Sequence, residues 1–251
     1  MKQIVRTMTP MVFLAASFVA QAATIESSTS VYLTLRECVA GKSPCDSVTP
    51  QVSTIIEGLP GNTESNAAHQ DPSYGKVKGG AKLTGDAGGS EHNSHTVSLP
   101  GTRNGSNTVT LQKYTNDGSI AQDLVYAGTL TYEQTVPEDN AGISKESGGQ
   151  TTANAMLFAF RLDVDAIEAG TTAEDNYKIL TDGPEEEAAF TDLGQDEGSS
   201  AHESGTGTID VSISLTVKPG ESVWFWAMTQ ALAANGGEVS SSFVTRLIPE
   251  P

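Results

Sequence analysis

The chain has 251 residues, 37% hydrophobic and 18% charged, with 31 acids against 14 bases and a formal net charge of −17. Two cysteines and four histidines are too few for a disulfide-dense scaffold or a Cys/His zinc module. So negative a field repels phosphate, which excludes a basic nucleic-acid binder. Gly, Ser and Thr stand where a coiled coil would need Leu, Lys and Glu.

The N-terminus reads as an address. Lys2 and Arg6 precede an apolar stretch from Met11 to Ala20, and Ala20-Gln21-Ala22 offers a small-x-small cleavage site. An apolar run that short cannot cross a bilayer, which needs ~20 residues. Residues 1–23 are therefore expected to be a secretory signal peptide, with no membrane span in the mature chain. Its removal takes away two bases and no acid, leaving the exported protein still more anionic. In an oxidising compartment Cys38 and Cys45, with Gly41 and Pro44 between them, are expected to close a small disulfide loop worth ~2–3 kcal/mol.

The mature chain reads as strands, and residues 24–248 as one domain. Val31 to Arg36 alternates Val31, Leu33 and Leu35 against Tyr32, Thr34 and Arg36, and Gln51 to Glu57 is a second β-branched run. Residues 58–105 are rich in Gly, Ser, Asn and His and are expected to be a loop-rich insertion, with only weak strand signals at Tyr74 to Leu83 and His95 to Leu99. Asn107 to Tyr114 places Val109 and Leu111 on one face, and Asp123 to Val136 is a long strand that Gly128 is expected to bend or bulge.

Met156, Phe158, Phe160 and Leu162 share a face opposite Arg161 and Asp163. Residues 181–206 follow as an acidic loop: Thr181 to Glu203 holds eight acids and no base, and such a block is expected to be solvated and extended. Ile209, Val211, Ile213, Leu215 and Val217 then alternate without a fault against polar residues, the pattern of a half-buried antiparallel strand. Pro219-Gly220 is a turn before Ser222 to Ala231, and Asn235-Gly236-Gly237 is expected to make a hairpin into the last strand, Val239 to Ile248. Together these runs predict an all-β, antiparallel β-sandwich, jelly-roll or immunoglobulin-like, with long polar loops.

The candidate sites are sparse. Glu91, His92 and His95 could share a metal on a loop, but on a strand the two histidines point to opposite faces. Asp182, Glu185, Glu187, Asp192 and Asp196 are candidate Ca²⁺ ligands, Ca²⁺ being the one cofactor the acidic loop suggests. Ser73-x-x-Lys76 lacks the partner motifs of its class, and no Gly-x-Ser-x-Gly elbow occurs. Trp224 and Trp226 share one strand face and Val223, Phe225 and Ala227 the other. With the valine set inside, the tryptophans form a surface platform for sugar rings or a partner; with the strand covered on both sides, all are core.

The last forty residues run through Leu215-Thr-Val-Lys-Pro-Gly-Glu-Ser-Val, the tryptophan strand, an Asn-Gly-Gly turn and a final strand ending Ile248-Pro249-Glu250-Pro251. This resembles the end of a PEP-CTERM protein, an exosortase substrate of Gram-negative bacteria, with Pro249, Glu250 and Pro251 as the sorting motif. The family continues into a transmembrane helix and a basic tail, whereas this sequence stops at Pro251. The resemblance implies a secreted, extracellular or cell-surface location. The expected role is a non-enzymatic matrix or biofilm protein, with itself, other matrix proteins or exopolysaccharide as partners. Edge-strand pairing, for instance through Val239 to Ile248, would let it self-assemble. The alternatives are a carbohydrate-binding module and a secreted hydrolase.

Overall fold

The computed structural model of the chain describes residues 27–37, 53–57, 63–85, 88–138, 150–162 and 190–250. Alternating side chains separated by Gly, Asn and Pro give twelve strands there: β1 (Ser27–Glu37), β2 (Ser53–Glu57), β3 (Glu64–Asp71), β4 (Gly75–Leu83), β5 (Ser90–Ser98), β6 (Thr102–Thr115), β7 (Gln122–Thr135), β8 (Thr152–Leu162), β9 (Phe190–Ser199), β10 (Gly205–Val217), β11 (Ser222–Ala234) and β12 (Glu238–Pro249). They form two six-stranded sheets, β2-β1-β6-β11-β8-β9 and β10-β7-β12-β5-β4-β3, with every pairing antiparallel.

The connectivity separates the two expected sandwich types. From β5 onward the chain crosses between sheets at each step except the β8–β9 hairpin, and β5, the first of these eight strands, pairs with β12, the last. That is a jelly roll, and β1–β4 widen it by two strands per sheet.

Several expectations need correcting. The supposed loop-rich insertion at 58–105 supplies β3, β4, β5 and the start of β6. Small residues suffice there: Ser65 and Ala67 face inward, and Thr29 Oγ1 and Ser65 Oγ lie 2.8 Å apart across the sheets. The acidic loop at 181–206 is, over its described part, the edge strand β9 and the start of β10. Gly128 makes no bulge, since it keeps register with both Val211 and Thr245. Its missing side chain admits the Phe243 ring, whose Cε2 would lie 2.4 Å from an added Cβ. Asn235-Gly236 is no hairpin turn but a crossing between sheets, with Asn235 at φ 49° and Gly236 at φ 89°. Finally, β12 is not an edge strand: it lies between β7 and β5 with its ladder filled on both sides.

The interior between the sheets is of two kinds. Around β7, β8, β10 and β11 it is apolar, built from Leu124, Tyr126, Leu130, Leu157, Val211, Ile213, Phe225 and Phe243 with a row of alanines on β8. Around β5 and β6 it is polar. His92, fully buried, points from β5 toward Thr108 and Thr110 of β6. Proton accounting fixes the direction of its hydrogen bonds. Thr245 gives its only hydroxyl proton to Gly88 O at 2.8 Å. Ser90 therefore donates to Thr245 at 2.7 Å, and the 2.9 Å contact between Ser90 Oγ and His92 Nε2 is donated by Nε2–H. Nδ1, 3.2 Å from both the Thr108 hydroxyl and the Thr108 carbonyl oxygen, then accepts from the hydroxyl, and only in the protonated ring would it donate to the carbonyl. Desolvation pushes the His92 pKa down to about 4, against a smaller opposing effect of the Thr108 backbone, so the ring is neutral near pH 7.

Candidate functional site

The first sheet's outer face divides in two along β11. Trp224, Trp226 and Met228 project outward and pack with Val109, Leu111, Met156, Phe158 and Phe160 in an apolar cluster separate from the interior. Lys113 Nζ lies 5.3 Å from the centre of the Trp224 ring. The two tryptophans are only 5% and 2% exposed. The surface platform is thus corrected in favour of its alternative: the strand is covered on both faces, and the indoles are packing groups.

The same face changes character at the next outward position. Gln230 is cross-strand to Asn154 on one side and Asn107 on the other; Asn154 faces Ser199, and Asn107 faces Tyr32. One row across five strands therefore carries hydroxyl, amide, amide, amide and phenol. The amides are joined in one sense: Ser199 donates to Asn154 Oδ1, Asn154 Nδ2 donates to Gln230 Oε1 at 2.9 Å, and Gln230 Nε2 donates to Asn107 Oδ1 at 2.9 Å. Each carboxamide spends only part of its hydrogen-bonding capacity on its neighbours.

A recess lies on each side of Gln230. One, of about 340 Å³, is lined by Asn154, Met156, Glu197, Ser199 and Met228. The other, of about 140 Å³, is lined by Tyr32, Thr34, Arg36, Arg103, Asn107 and Leu232. Together they make a groove across the strands with a polar wall, a thioether wall of Met156 and Met228, an acid at one end and two arginines at the other. A wider depression of about 590 Å³ lies on the second sheet over Thr131, Thr208, Ser240 and Ser242. It is an open saucer, also lined by Tyr132 and Glu133, and no ladder of side-chain amides runs across it.

The residues singled out in the sequence are placed elsewhere. His92 and His95 take opposite faces of β5. His95 points outward, its Nδ1 2.8 Å from Ser240 Oγ and its Nε2 3.8 Å from Glu238. Among the described residues no three His, Cys, Asp or Glu side chains converge as a metal site would need. Asp192 and Asp196 serve the backbone: Asp192 Oδ1 accepts Gly194 N–H at 2.7 Å in the bulge of β9, and Asp196 Oδ2 accepts Ser212 N–H at 2.7 Å on the edge of β10. Ser73 sits in a turn where its N–H bonds Asp71 at 2.7 Å. Pro249 ends β12, and Glu250 N–H bonds Asp123 O at 2.8 Å. The signal segment, Cys38, Cys45, Asp182, Glu185, Glu187 and Pro251 lie outside the described residues.

In the sequence the aromatic pair Trp224 and Trp226 masks the groove residues, which carry no motif of their own. The signal that marks Gln230 is simple alternation, which puts it on the tryptophan face two residues beyond Met228.

No family model matches the chain, and no curated protein matches it. Among solved structures it is similar to a carbohydrate-binding module of the β-sandwich superfamily, at 8% identity and TM-score 0.25 over 87% of this chain and 85% of that one. It is also similar to a candidate glycoside hydrolase from Bacteroides thetaiotaomicron, at 13% identity and TM-score 0.28 over 76% of this chain and 57% of that one. Likenesses at this level carry no functional argument. The all-β sandwich rests on the strand order itself, and no helix among the described residues is long and apolar enough to cross a membrane.

Proposed function

We propose that this chain is a non-catalytic, extracellular polysaccharide-binding protein of a bacterial surface or matrix, and that it holds a glycan along the groove beside Gln230. The observation that carries the reading is the Ser199–Asn154–Gln230–Asn107 ladder. Sugars present alternating donors and acceptors on a semi-apolar ring, and an amide row beside a thioether wall complements both. The positions are fixed by backbone register rather than by loops, so little ordering is needed on binding. The signal-like N-terminus and the exosortase-substrate resemblance of the C-terminus support export and a Gram-negative surface or matrix setting.

Gln230→Ala tests it. The substitution removes the central amide and leaves Asn154 and Asn107 without their shared partner. Loss of one to two ligand hydrogen bonds at about 1 kcal/mol each lowers affinity about tenfold. Titration calorimetry of wild type and Q230A against a panel of bacterial exopolysaccharides and their oligomers reads this directly. Equal affinities for a bound glycan would refute the groove, and wild type silent across the panel would refute glycan binding.

A further inference from the structure

The arginine end of the groove holds two cations where one would be expected. Arg36 and Arg103 are directly cross-strand partners in the β1–β6 ladder. Like charges placed so are destabilising, and the chain has 31 acids against 14 bases from which to supply a counter-charge. Yet neither arginine forms a salt bridge among the described residues, where the ion pairs are His95–Glu238 and Arg161–Glu221. Arg36 Nε is buried with no hydrogen-bond partner there. Burial first, and the Arg36 guanidinium second, hold the Arg103 pKa below the usual arginine value.

The space between them and the ladder is floored by Thr34 and Leu232, which pack over a glycine. Gly105 is cross-strand to Thr34 and to Leu232, and a Cβ on it would lie 3.0 Å from both Thr34 Oγ1 and Leu232 Cδ2. Thr34 and Leu232 thus close over the bare Gly105 backbone and floor the space. Tyr32, Asn107 and Gln230 rise on one side and the arginines on the other, around the hollow of about 140 Å³. The ladder is polarised toward this hollow. Every amide link donates in the direction of Asn107, whose own Nδ2 has no partner among the described residues. N–H donors and two guanidiniums face one small space, and no carboxylate is among its described lining residues.

We propose that this hollow binds the carboxylate of a uronic acid residue, so that the groove selects acidic over neutral polysaccharide. The inference rests on the glycan-binding reading and adds its substrate class. A carboxylate placed here accepts from planar guanidinium forks, the geometry in which Arg recognition is strongest. It also relieves the Arg36–Arg103 repulsion, so binding and stability are linked.

The experiment compares one sugar with and without its charge. Hexamers of galacturonate and of mannuronate, each as free acid and as methyl ester, are titrated by calorimetry into the exported chain and into its Arg36→Gln and Arg103→Gln variants. The expected result is that wild type binds at least one acid about tenfold or more tighter than its ester. Either substitution removes that preference, the acid losing affinity and the ester losing less. In the absence of sugar, each variant melts at or above the wild-type temperature, because a repulsion has been removed; a purely structural role for the arginines would lower it. If acid and ester bind equally, the carboxylate site is refuted and the groove stands. A preference for acid that persists in both variants also refutes the site and moves the selectivity to another cationic surface, such as Lys76, Lys78 and Lys82 on β4. No binding of any hexamer by wild type refutes the inference together with glycan binding in this groove.

Discussion

His92 makes the interior of this sandwich sensitive to acid. The ring is fully buried, its pKa is pushed down to about 4 from 6.5, and its Nε2 proton is committed to Ser90. In the unfolded chain the ring takes a proton near pH 6.5; in the folded chain it does so only near pH 4. The unfolded state therefore binds more protons in this window. The contribution of His92 to stability is complete above pH 6.5 and is lost progressively as pH falls to 4. At 1.36 kcal/mol per pKa unit, the loss is about 2 kcal/mol at pH 5 and about 3 kcal/mol at pH 4. The 31 acids also titrate on the way down, so the test is a difference. His92→Gln keeps an N–H donor near the Nε2 position and cannot ionise. Urea denaturation followed by tryptophan fluorescence at pH 7 and pH 5 should show wild type losing about 2 kcal/mol more than H92Q. Equal pH dependence in the two proteins would refute the buried-neutral assignment.

Two further predictions follow from single contacts. Gly128→Ala would place a Cβ 2.4 Å from the buried Phe243 ring, which itself packs on His92 at 5.6 Å between ring centres; overpacking of this kind costs about 1–3 kcal/mol and should appear as a lower urea midpoint at unchanged slope, whereas a tolerated alanine would show that the ring is free to move. Asp196→Ala uncovers Ser212 N–H on the edge of β10, and an uncovered edge recruits other strands; sedimentation should show self-association rising with concentration in the variant and not in wild type, and a monomeric D196A would mean that the edge is protected by something else.

The sequence disclosed faces better than it disclosed which face was inside. The perfect alternation of β10 was legible, and Ile209 through Val217 do turn inward. In β8 the bulky set Met156, Phe158 and Phe160 was equally plain, but it lies on the outer side of its sheet, and the inter-sheet layer is Ala153, Ala155, Leu157 and Ala159. Periodicity of two states which residues share a side; only the partner sheet decides which side it covers. β3 and β9 were not legible at all, because edge strands need little apolar material. In β9, Gly198 packs so closely under Ile209 that a Cβ would lie 2.1 Å from its Cγ2, so the contact that places the strand is made by the absence of a side chain. The arginine hollow was hidden for a related reason: Arg36 was legible as the polar side of β1, but its partner Arg103 and Gly105, over which Thr34 and Leu232 close, lay in the stretch expected to be loop.

β6 ties these observations to the groove. Its inward residues Asn104, Ser106, Thr108 and Thr110 are polar and buried, while its outward Val109 and Leu111 are apolar and buried. The hydrogen bonds of the inward set are directional: Ser106 Oγ reaches Lys78 O at 2.9 Å, and Asn104 Nδ2 reaches Tyr74 O at 2.7 Å and Val97 O at 2.8 Å. A polar layer of that kind penalises a slipped register, because each shifted pairing strands a buried donor or acceptor. Register on β6 in turn fixes what lies on its other face, since Asn107 meets Gln230 and Arg103 meets Arg36 through the same ladder. The hydrogen bonds between the sheets thus hold the spacing of groups that face solvent on the far side of one of them. This is a means of building a rigid, side-chain-patterned surface from strands alone, and it makes the buried polar layer and the groove one design problem rather than two.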